Sequence, residues 1–485
     1  MSLLDPTQWS GKAHVGTWTA MTGGTAPVVE PATGELLGTI GVATPEDVAN
    51  AAERAARAQS AWARTPYTER AAVLRRAGDL FTRYADEIGQ WLIREGGSIP
   101  GKAAFETTTA AQECYEAATL ASRPLGEILP SAEPRLSLAR RVPAGVVGVI
   151  APFNAPLILG IRSVAPALAL GNSVLFKPDL RTAVCGGVSV MRVFEEAGLP
   201  ADLLHLLPGG ADTGAAVVAA PQVRVISFTG STAAGRKVGA AAAEHLKRAH
   251  LELGGNSALI VLPDADLERA ASTAAWGSYF HQGQICMTTG RHLVHASVAD
   301  EYVARLAEKA EQLPVGNPAK EQVALGPVID AGQRDKIHGL VTASVGNGAR
   351  LVAGGTYQDL FYRPTVLADV DDASPAYAEE VFGPVAPVRA FRDLDEVVAL
   401  ATASSYGLSL GILTSDAMRG LELAERIPTG IVHVNDQTVS DEAVAPFGGV
   451  AASGTGARFG GDANIEAFTE TRWITARSEQ PAYPF

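Results

Sequence analysis

Residues 223–239, VRVISFTGSTAAGRKVG, place a strand, a turn and a helix in direct succession, and this order decides the fold class. The β-branched run ends at Thr229, a turn follows at Gly230 and Ser231, and a helical pattern opens around Thr232. A glycine-containing turn at a helix N-terminus offers free backbone N–H groups to a phosphate. The stretch alone fits a plain strand–helix connection equally well, because it has neither G-x-G-x-x-G nor the lysine of a nucleotide-triphosphate loop.

Three further short runs, β-branched or apolar, precede this stretch, and a helical pattern separates each run from the next. They are VVGVIA at 146–151, SVLFKP at 173–178 and LLHLLP at 203–208. Strand–helix alternation of this kind predicts an α/β fold with a parallel, doubly wound sheet. Nearer the N-terminus, residues 44–63 and 68–93 carry apolar residues at helical spacing, which predicts two amphipathic helices.

Length and composition limit the function classes. The chain has 485 residues, enough for about three domains at ~150 residues each. A net charge of −13 argues against nucleic acid or an anionic membrane as a partner. No signal peptide is visible, and the longest apolar run is interrupted by Asn154 and two prolines, which disfavours a membrane span. Three cysteines without a pairing pattern indicate a cytoplasmic protein, and the nine histidines form no metal-binding cluster.

Cys286 lies in YFHQGQICMTTGR, residues 279–291, where no charge precedes the closing arginine. A free cysteine is most often a small buried packing residue. Cys114 and Cys185, which lie in helical patterns, fit that description well. For Cys286 the local pattern leaves two interpretations open, a packing residue or a nucleophile.

Seven motifs, in order and across nearly the whole chain, resemble the NAD(P)-dependent aldehyde dehydrogenase superfamily. Within it, residues 280–292 and 458–475 look most like the benzaldehyde and vanillin dehydrogenase group, whose members act in aromatic compound catabolism. The motifs are PFNAP at 152–156, LFKPD at 175–179, FTGSTAAG at 228–235, LELGGNS at 251–257, QGQIC at 282–286, EEVFGPV at 379–385 and PFGG at 446–449.

The resemblance implies an aldehyde dehydrogenase fold of three parts. A Rossmann-like NAD(P)-binding domain would comprise residues 1–121 and 143–254, and an α/β catalytic domain residues 255–447. A small β arm, residues 122–142 and 468–485, would join subunits. Because such an arm is not stable alone, the resemblance implies a homodimer or homotetramer.

The resemblance also implies the catalytic residues: Cys286, Glu252, Asn154 and Lys177. Cys286 would add to the aldehyde as a thiolate, which requires nearby positive charge or a base. Asn154 and the Cys286 backbone N–H would stabilise the oxyanion. Glu252, placed between two leucines, would activate the water that hydrolyses the thioester, and its presence favours release of a free acid over coenzyme A acylation.

The cofactor implied is NAD, with some use of NADP. Most family members have KPxE where this chain has KPDL, so the acid stands one residue early. An acidic side chain at the adenosine ribose accepts a hydrogen bond from the 2′-hydroxyl and repels a 2′-phosphate. The residues implied in cofactor binding are Lys177, Asp179, Gly230, Ser231, Glu380 and Phe382.

The substrate implied is an aromatic aldehyde of the benzaldehyde or vanillin type. Apolar walls suit a ring, and Arg162 near the mouth would meet a ring hydroxyl, although a structural ion pair explains this arginine equally well. An aliphatic semialdehyde dehydrogenase and a catalytically silent relative remain alternatives. The residues implied in the substrate pocket are Phe153, Leu159, Arg162, Ile285 and Met287.

Overall fold

A computed structural model describes residues 2–485. Two seven-stranded sheets, each covered by helices, form the body of the molecule, and a three-stranded antiparallel sheet lies beside them. This is the α/β architecture that the alternating strands and helices predict.

The α-helices are numbered in chain order. They are α1 Pro6–Trp9, α2 Pro45–Trp62, α3 Tyr67–Arg83, α4 Ala85–Arg94, α5 Pro100–Leu120, α6 Pro156–Ala169, α7 Ser189–Glu196, α8 Ala211–Ala219, α9 Thr232–Glu244, α10 Leu267–Tyr279, α11 Ala299–Gln312, α12 Ala331–Gly346, α13 Pro375–Ala378, α14 Leu394–Thr402, α15 Ala417–Ala424 and α16 Ala463–Phe468.

The strands are numbered in the same way. They are β1 Ala13–His14, β2 Trp18–Thr19, β3 Thr25–Val29, β4 Leu36–Gly41, β5 Gly126–Ile128, β6 Leu136–Pro143, β7 Val146–Ile150, β8 Ser173–Lys177, β9 Leu204–Leu206, β10 Val223–Thr229, β11 Arg248–Glu252, β12 Ser257–Val261, β13 Thr289–His295, β14 Arg350–Ala353, β15 Tyr357–Gln358, β16 Phe361–Tyr362, β17 Thr365–Ala368, β18 Val385–Phe391, β19 Tyr406–Gly407, β20 Ser409–Leu413, β21 Ile431–Val434, β22 Val450–Ala451 and β23 Thr469–Ala476.

The first large sheet has the order β11-β10-β7-β8-β9-β1-β2. Its first five strands are parallel, and β1 and β2 join antiparallel at the far edge. The four short runs at 146–151, 173–178, 203–208 and 223–229 all contain strands of this sheet. The chain enters each parallel strand from the same side, so the loops that follow β7, β8, β10 and β11 gather at one edge.

The second large sheet has the order β14-β17-β18-β13-β12-β20-β21. All pairings are parallel except that of β14 with β17. The segment after this sheet returns to the first one, where Phe459 and Phe468 pack into its hydrophobic core.

The N-terminal helices differ from their prediction in one respect. Helix α2 begins after Thr44, whose side chain forms a capping box with Asp47. Residues 68–93 form two helices rather than one, because Tyr84 (φ −101°, ψ 19°) leaves the helical conformation. The new first turn carries acidic residues, which favour a helix start, and one of them, Glu87, accepts hydrogen bonds from the backbone near the N-terminus.

The small sheet consists of β5, β6 and β23 in the order β23-β6-β5. Strands β6 and β23 pair over eight residues, from Thr469 opposite Pro143 to Ala476 opposite Leu136. Its role in joining subunits remains a prediction. None of the helices within residues 2–485 combines the length and the apolar composition needed to cross a membrane.

Candidate active site

The carboxyl edge of the first sheet brings together residues that are far apart in sequence. Lys177 ends β8 and Glu252 ends β11, while Asn154 and Gly230 follow β7 and β10. The strand register places Ile150 opposite both Lys177 and Phe228, and Thr229 opposite Glu252. Ligands in open α/β sheets bind at this edge, so topology alone explains why these residues meet.

The second sheet contributes Cys286 and Glu380, which precede the neighbouring strands β13 and β18. Two glycines after Glu252 allow the close approach of these residues. A Cβ on Gly254 would lie 2.5 Å from the Glu380 carboxylate, and one on Gly255 would lie 2.2 Å from the Cys286 carbonyl oxygen. The Glu380 carboxylate accepts a hydrogen bond of 2.9 Å from the Gly255 backbone N–H.

The loop before Cys286 has an unusual backbone. His281, Gln282 and Gly283 all have positive φ, from 50° to 67°, which bends the chain sharply after α10. The Gln282 amide donates to the backbone oxygens of Gly97 (2.9 Å) and Pro327 (2.6 Å), and this buried anchor holds the bend. Strain of this kind is found where the surrounding structure fixes a functional residue.

Two cavities meet at Cys286. Both are lined by Cys286, Asn154 and Leu159, and they extend from these residues in different directions. Within residues 2–485 the Asn154 side-chain amide and the Cys286 backbone N–H have no hydrogen-bond partner. A carbonyl oxygen bound at this junction would therefore find two free donors beside the thiol.

The first cavity, of about 160 Å³, holds most of the predicted cofactor residues: Gly230, Ser231, Glu380 and Phe382. Ser231 caps α9 through its side chain, and the first N–H groups of that helix have no intrahelical partner. Phe382 has φ 56°, which is strained for a bulky residue. A phosphate at the helix start and a flat ring beside Phe382 would fit this cavity.

The second cavity, of about 460 Å³, is largely apolar. Four of the predicted substrate-pocket residues line it: Leu159, Arg162, Ile285 and Met287. The rings of Trp276 and Phe280 stack at 4.6 Å on another side of the cavity. A volume and lining of this kind suit a small aromatic ligand.

Phe153 lies differently from its prediction, and Arg162 forms a structural ion pair. Phe153 lines the first cavity, where it packs edge-on against Phe382 with ring centroids 5.9 Å apart. Arg162 is only 3% exposed and forms an ion pair with Asp441, which agrees with the structural alternative that its sequence position left open. Its guanidinium also lies 4.3 Å above the Phe447 ring.

The Cys286 thiol lies among carboxylates. Burial raises the pKa of Cys286 to about 12, and the charges of Glu380 and Glu252 add to the rise while Arg162 opposes it. Of the two means of activation, positive charge and a base, the excess of negative charge around Cys286 favours the base. Cys114 and Cys185 are fully buried in the core, as predicted for packing residues.

Glu252 is buried, and neither of its carboxylate oxygens has a hydrogen-bond partner within the described chain. Burial raises the pKa of Glu252 to about 8, against the opposing charges of Arg162 and Arg458. A carboxyl group with this pKa can accept a proton near neutral pH.

Asp179 is engaged by its neighbour rather than free for a ribose. The Arg181 guanidinium donates to both Asp179 oxygens, at 2.9 and 2.8 Å, and also reaches Asp330 at 2.7 Å. Side-chain hydrogen bonds from Arg181 lower the pKa of Asp179 despite its burial, which keeps the ion pair intact. The negative charge that would repel a 2′-phosphate is therefore largely neutralised.

Lys177 is mostly buried, which lowers its pKa, and its amine lies 3.3 Å from the Pro178 carbonyl oxygen.

Several residues that line the second cavity are not predicted by any sequence pattern, among them Lys102, Glu106 and Asp441. Lys102 and Glu106 belong to α5, whose small residues resemble ordinary packing, and no motif marks them. Asp441 lies 279 residues from its partner Arg162. The i, i+4 spacing of Lys102 and Glu106, which places opposite charges on one helix face, is the one signal that could have drawn attention to α5.

The molecule combines a Rossmann-like sheet with a second α/β sheet, and it places a thiol and an amide where two cavities meet. This combination defines a cofactor-dependent enzyme with a cysteine at its centre. The sequence profile of the aldehyde dehydrogenase family matches residues 18–474. The chain belongs to this family, and it is an NAD(P)-dependent enzyme of aldehyde oxidation.

Relatives of known activity extend over the whole chain. A vanillin dehydrogenase of Amycolatopsis sp. is 71% identical over 486 residues, covering 100% of both chains. A benzaldehyde dehydrogenase (NAD⁺) of Pseudomonas putida is 49% identical, with 98% of each covered. The crystal structure of a salicylaldehyde dehydrogenase from Pseudomonas putida G7, complexed with salicylaldehyde, superposes with a TM-score of 0.94 at 35% identity, covering 98% of this chain and 99% of that one.

Proposed function

We propose that this enzyme oxidises aromatic aldehydes of the benzaldehyde and vanillin type to carboxylic acids, with NAD as the oxidant. The observation that carries the proposal is the junction of two cavities at Cys286 and Asn154, one suited to a nucleotide and the other to an aromatic ring. Relatives named for vanillin, benzaldehyde and salicylaldehyde support the aromatic class.

The first cavity would hold the cofactor. The N-terminus of α9, with Gly230 and Ser231, would bind the pyrophosphate, while Glu380 and Phe382 would lie at the nicotinamide ribose. Lys177, at the end of β8, would approach the adenosine ribose. When bound, NAD accepts the hydrogen of the aldehyde carbon as a hydride.

Cys286 forms a carbon–sulfur bond with the aldehyde carbon, and the carbonyl oxygen takes the negative charge. The amide of Asn154 and the N–H of Cys286 stabilise this oxyanion, each contributing about 3–4 kcal/mol by analogy with other oxyanion holes. The thiol proton leaves to a carboxylate, and Glu380 and Glu252 are the carboxylates whose charges act most strongly on Cys286.

Loss of the hydride from the aldehyde carbon re-forms the carbonyl and leaves the acyl group on Cys286 as a thioester. Glu252 then takes a proton from the water that attacks this thioester. The water oxygen bonds to the acyl carbon, the carbon–sulfur bond breaks, and the acid leaves while Cys286 recovers its proton. Burial without a hydrogen-bond partner suits Glu252 to this step, since the carboxylate is basic enough to accept a proton near neutral pH.

The second cavity also offers polar partners for a ring substituent. Nη1 of Arg162 and Oδ1 of Asp441 are buried without hydrogen-bond partners among the described residues, and both side chains line the cavity. A phenolic hydroxyl can donate to the carboxylate and accept from the guanidinium, so it would satisfy both groups at once.

The test compares kcat/KM for benzaldehyde, vanillin and a short aliphatic aldehyde, followed by the absorbance of reduced NAD. We expect both aromatic aldehydes to exceed the aliphatic one at least tenfold, and Cys286→Ala to lose turnover while keeping its thermal stability. Asp441→Asn should lower the efficiency with vanillin more than that with benzaldehyde. Equal efficiencies for all three aldehydes, or an active Cys286→Ala, would contradict the proposal.

The chain also fits a cytoplasmic homo-oligomer, either a dimer or a tetramer. The three free cysteines suit a reducing compartment. The sheet of β5, β6 and β23 exposes apolar side chains on strands that have open edges, which suits contact with a second subunit.

A further inference from the structure

A buried ion pair on α5 contacts the backbone that carries Asn154. Lys102 and Glu106 are 2% and 0% exposed and pair with each other one helical turn apart. The Lys102 amine donates to the Asn154 carbonyl oxygen at 2.8 Å. The Leu157 backbone N–H donates to the second Glu106 oxygen at 3.1 Å.

Helix α6 needs this help because it has no cap of its own. Its N-cap residue is Ala155, whose side chain cannot accept a hydrogen bond, and Pro156 occupies the first turn. Glu106 therefore caps α6 from a different helix, and its negative charge suits the positive end of the α6 dipole.

The pair holds residues 154–157 at both ends of a tight connection. Removing one partner would leave the other charge buried and unpaired, so the two residues stabilise each other and the loop together. Both also line the second cavity beside Asn154. The free Asn154 amide is thus attached to a backbone that is fixed from two directions.

We infer that Lys102 and Glu106 are positioning residues for the oxyanion-stabilising amide of Asn154. The inference rests on the proposed function, in which that amide faces the aldehyde oxygen. Lys102 fixes the carbonyl of Asn154 and Glu106 fixes the start of α6, so the amide is held at the thiol before the substrate binds. Preorganisation of this kind acts on the transition state and therefore on kcat.

The experiment is a double-mutant cycle between Lys102→Met and Asn154→Ala, with kcat and both KM values measured for benzaldehyde and NAD. We expect Lys102→Met to lower kcat about tenfold, with KM for NAD changed less than twofold. In the Asn154→Ala background, the same substitution should lower kcat less than twofold, because the group it positions is gone. Equal reductions in both backgrounds would overturn the inference.

Lys247→Met is the matched control. Like Lys102, Lys247 donates to the backbone, here to the carbonyls of Val218 and Ala220, but it is only partly buried and lies outside both cavities. We expect this variant to keep the native kcat even where its melting temperature falls. A loss of kcat equal to that of Lys102→Met would show a general effect of stability and would overturn the inference.

A second variant serves if Lys102→Met does not fold. Lys102→Met with Glu106→Gln leaves no unpaired charge and keeps an acceptor for the Leu157 N–H, while the bond to Asn154 is lost. This double variant replaces Lys102→Met in the cycle with Asn154→Ala. We expect it to lower kcat about tenfold alone and less than twofold in the Asn154→Ala background, and equal reductions would overturn the inference. Failure of the proposed function is separate, since it would appear as activity in Cys286→Ala whatever the outcome of the cycle.

Discussion

Glu252 and Cys286 differ in how far their roles and their pKa values could be predicted from the sequence. The resemblance implies that Glu252, an acid between two leucines, is a base, and burial of its carboxyl raises its pKa to about 8. The pKa of the thiol could not be predicted, because it depends first on burial and then on the charge of Glu380, which lies 94 positions along the chain.

Glu252→Gln tests the base at this scale. Glutamine cannot accept the proton of water, so we expect a rapid burst of reduced NAD followed by turnover at least 100-fold slower. In the native enzyme, hydrolysis should quicken as the pH rises towards about 8, where Glu252 becomes a carboxylate, and then level off. Stopped-flow absorbance from pH 6 to 9 measures both. Slow turnover without a burst would show instead that Glu252 acts earlier, on the thiol.

At the scale of elements, the parallel strands were predictable and the breaks between elements were not. Strands β7 and β10 are short β-branched runs, β8 and β9 are short apolar runs, and turn residues bound all four, which is a strong local signal. The break at Tyr84 has no glycine or proline to mark it. The bend at residues 281–283 is also hidden, since His281 and Gln282 adopt positive φ only because the Gln282 side chain is anchored across the fold.

Gly283→Ala tests that bend. Gly283 has φ 67°, and a Cβ there would lie 2.1 Å from the Gly383 carbonyl oxygen, so alanine must displace the loop that carries Cys286. We expect a loss of about 2 kcal/mol or more in the free energy of unfolding, with most of the activity lost as well. Denaturant unfolding and steady-state rates measure the two effects.

Gly339→Ala is the control for this prediction. Gly339 lies within α12, where a Cβ would meet nothing within 4 Å, so alanine should stabilise the helix by about 0.5–1 kcal/mol and leave activity unchanged. A Gly283→Ala enzyme as stable and active as this control would show that the bend is not required.

At the scale of the molecule, the sequence predicts which residues meet at the sheet edge but not how the cavities are shaped. Topology brings Asn154, Gly230 and Glu252 together, so a parallel sheet and strand order are sufficient to place them. The cavity walls depend on contacts between distant segments, such as Arg162 with Asp441, that no local pattern encodes. The same reason explains why Phe153 lies on the cofactor side.

Ile128→Lys tests assembly of the whole molecule. Ile128 is 79% exposed on β5, and the opposite edge strand, β23, leaves eight residues of backbone without a second neighbour. Open edges and bare apolar side chains favour contact with another chain, and a lysine there opposes it. We expect the native protein to be an oligomer by light scattering and Ile128→Lys to dissociate at concentrations where the native protein does not.

Met418→Lys is the control for this prediction. Met418 is 65% exposed on α15, and this variant should keep the native mass. A monomeric native protein, or an Ile128→Lys variant as stable in assembly as Met418→Lys, would remove this sheet from the interface.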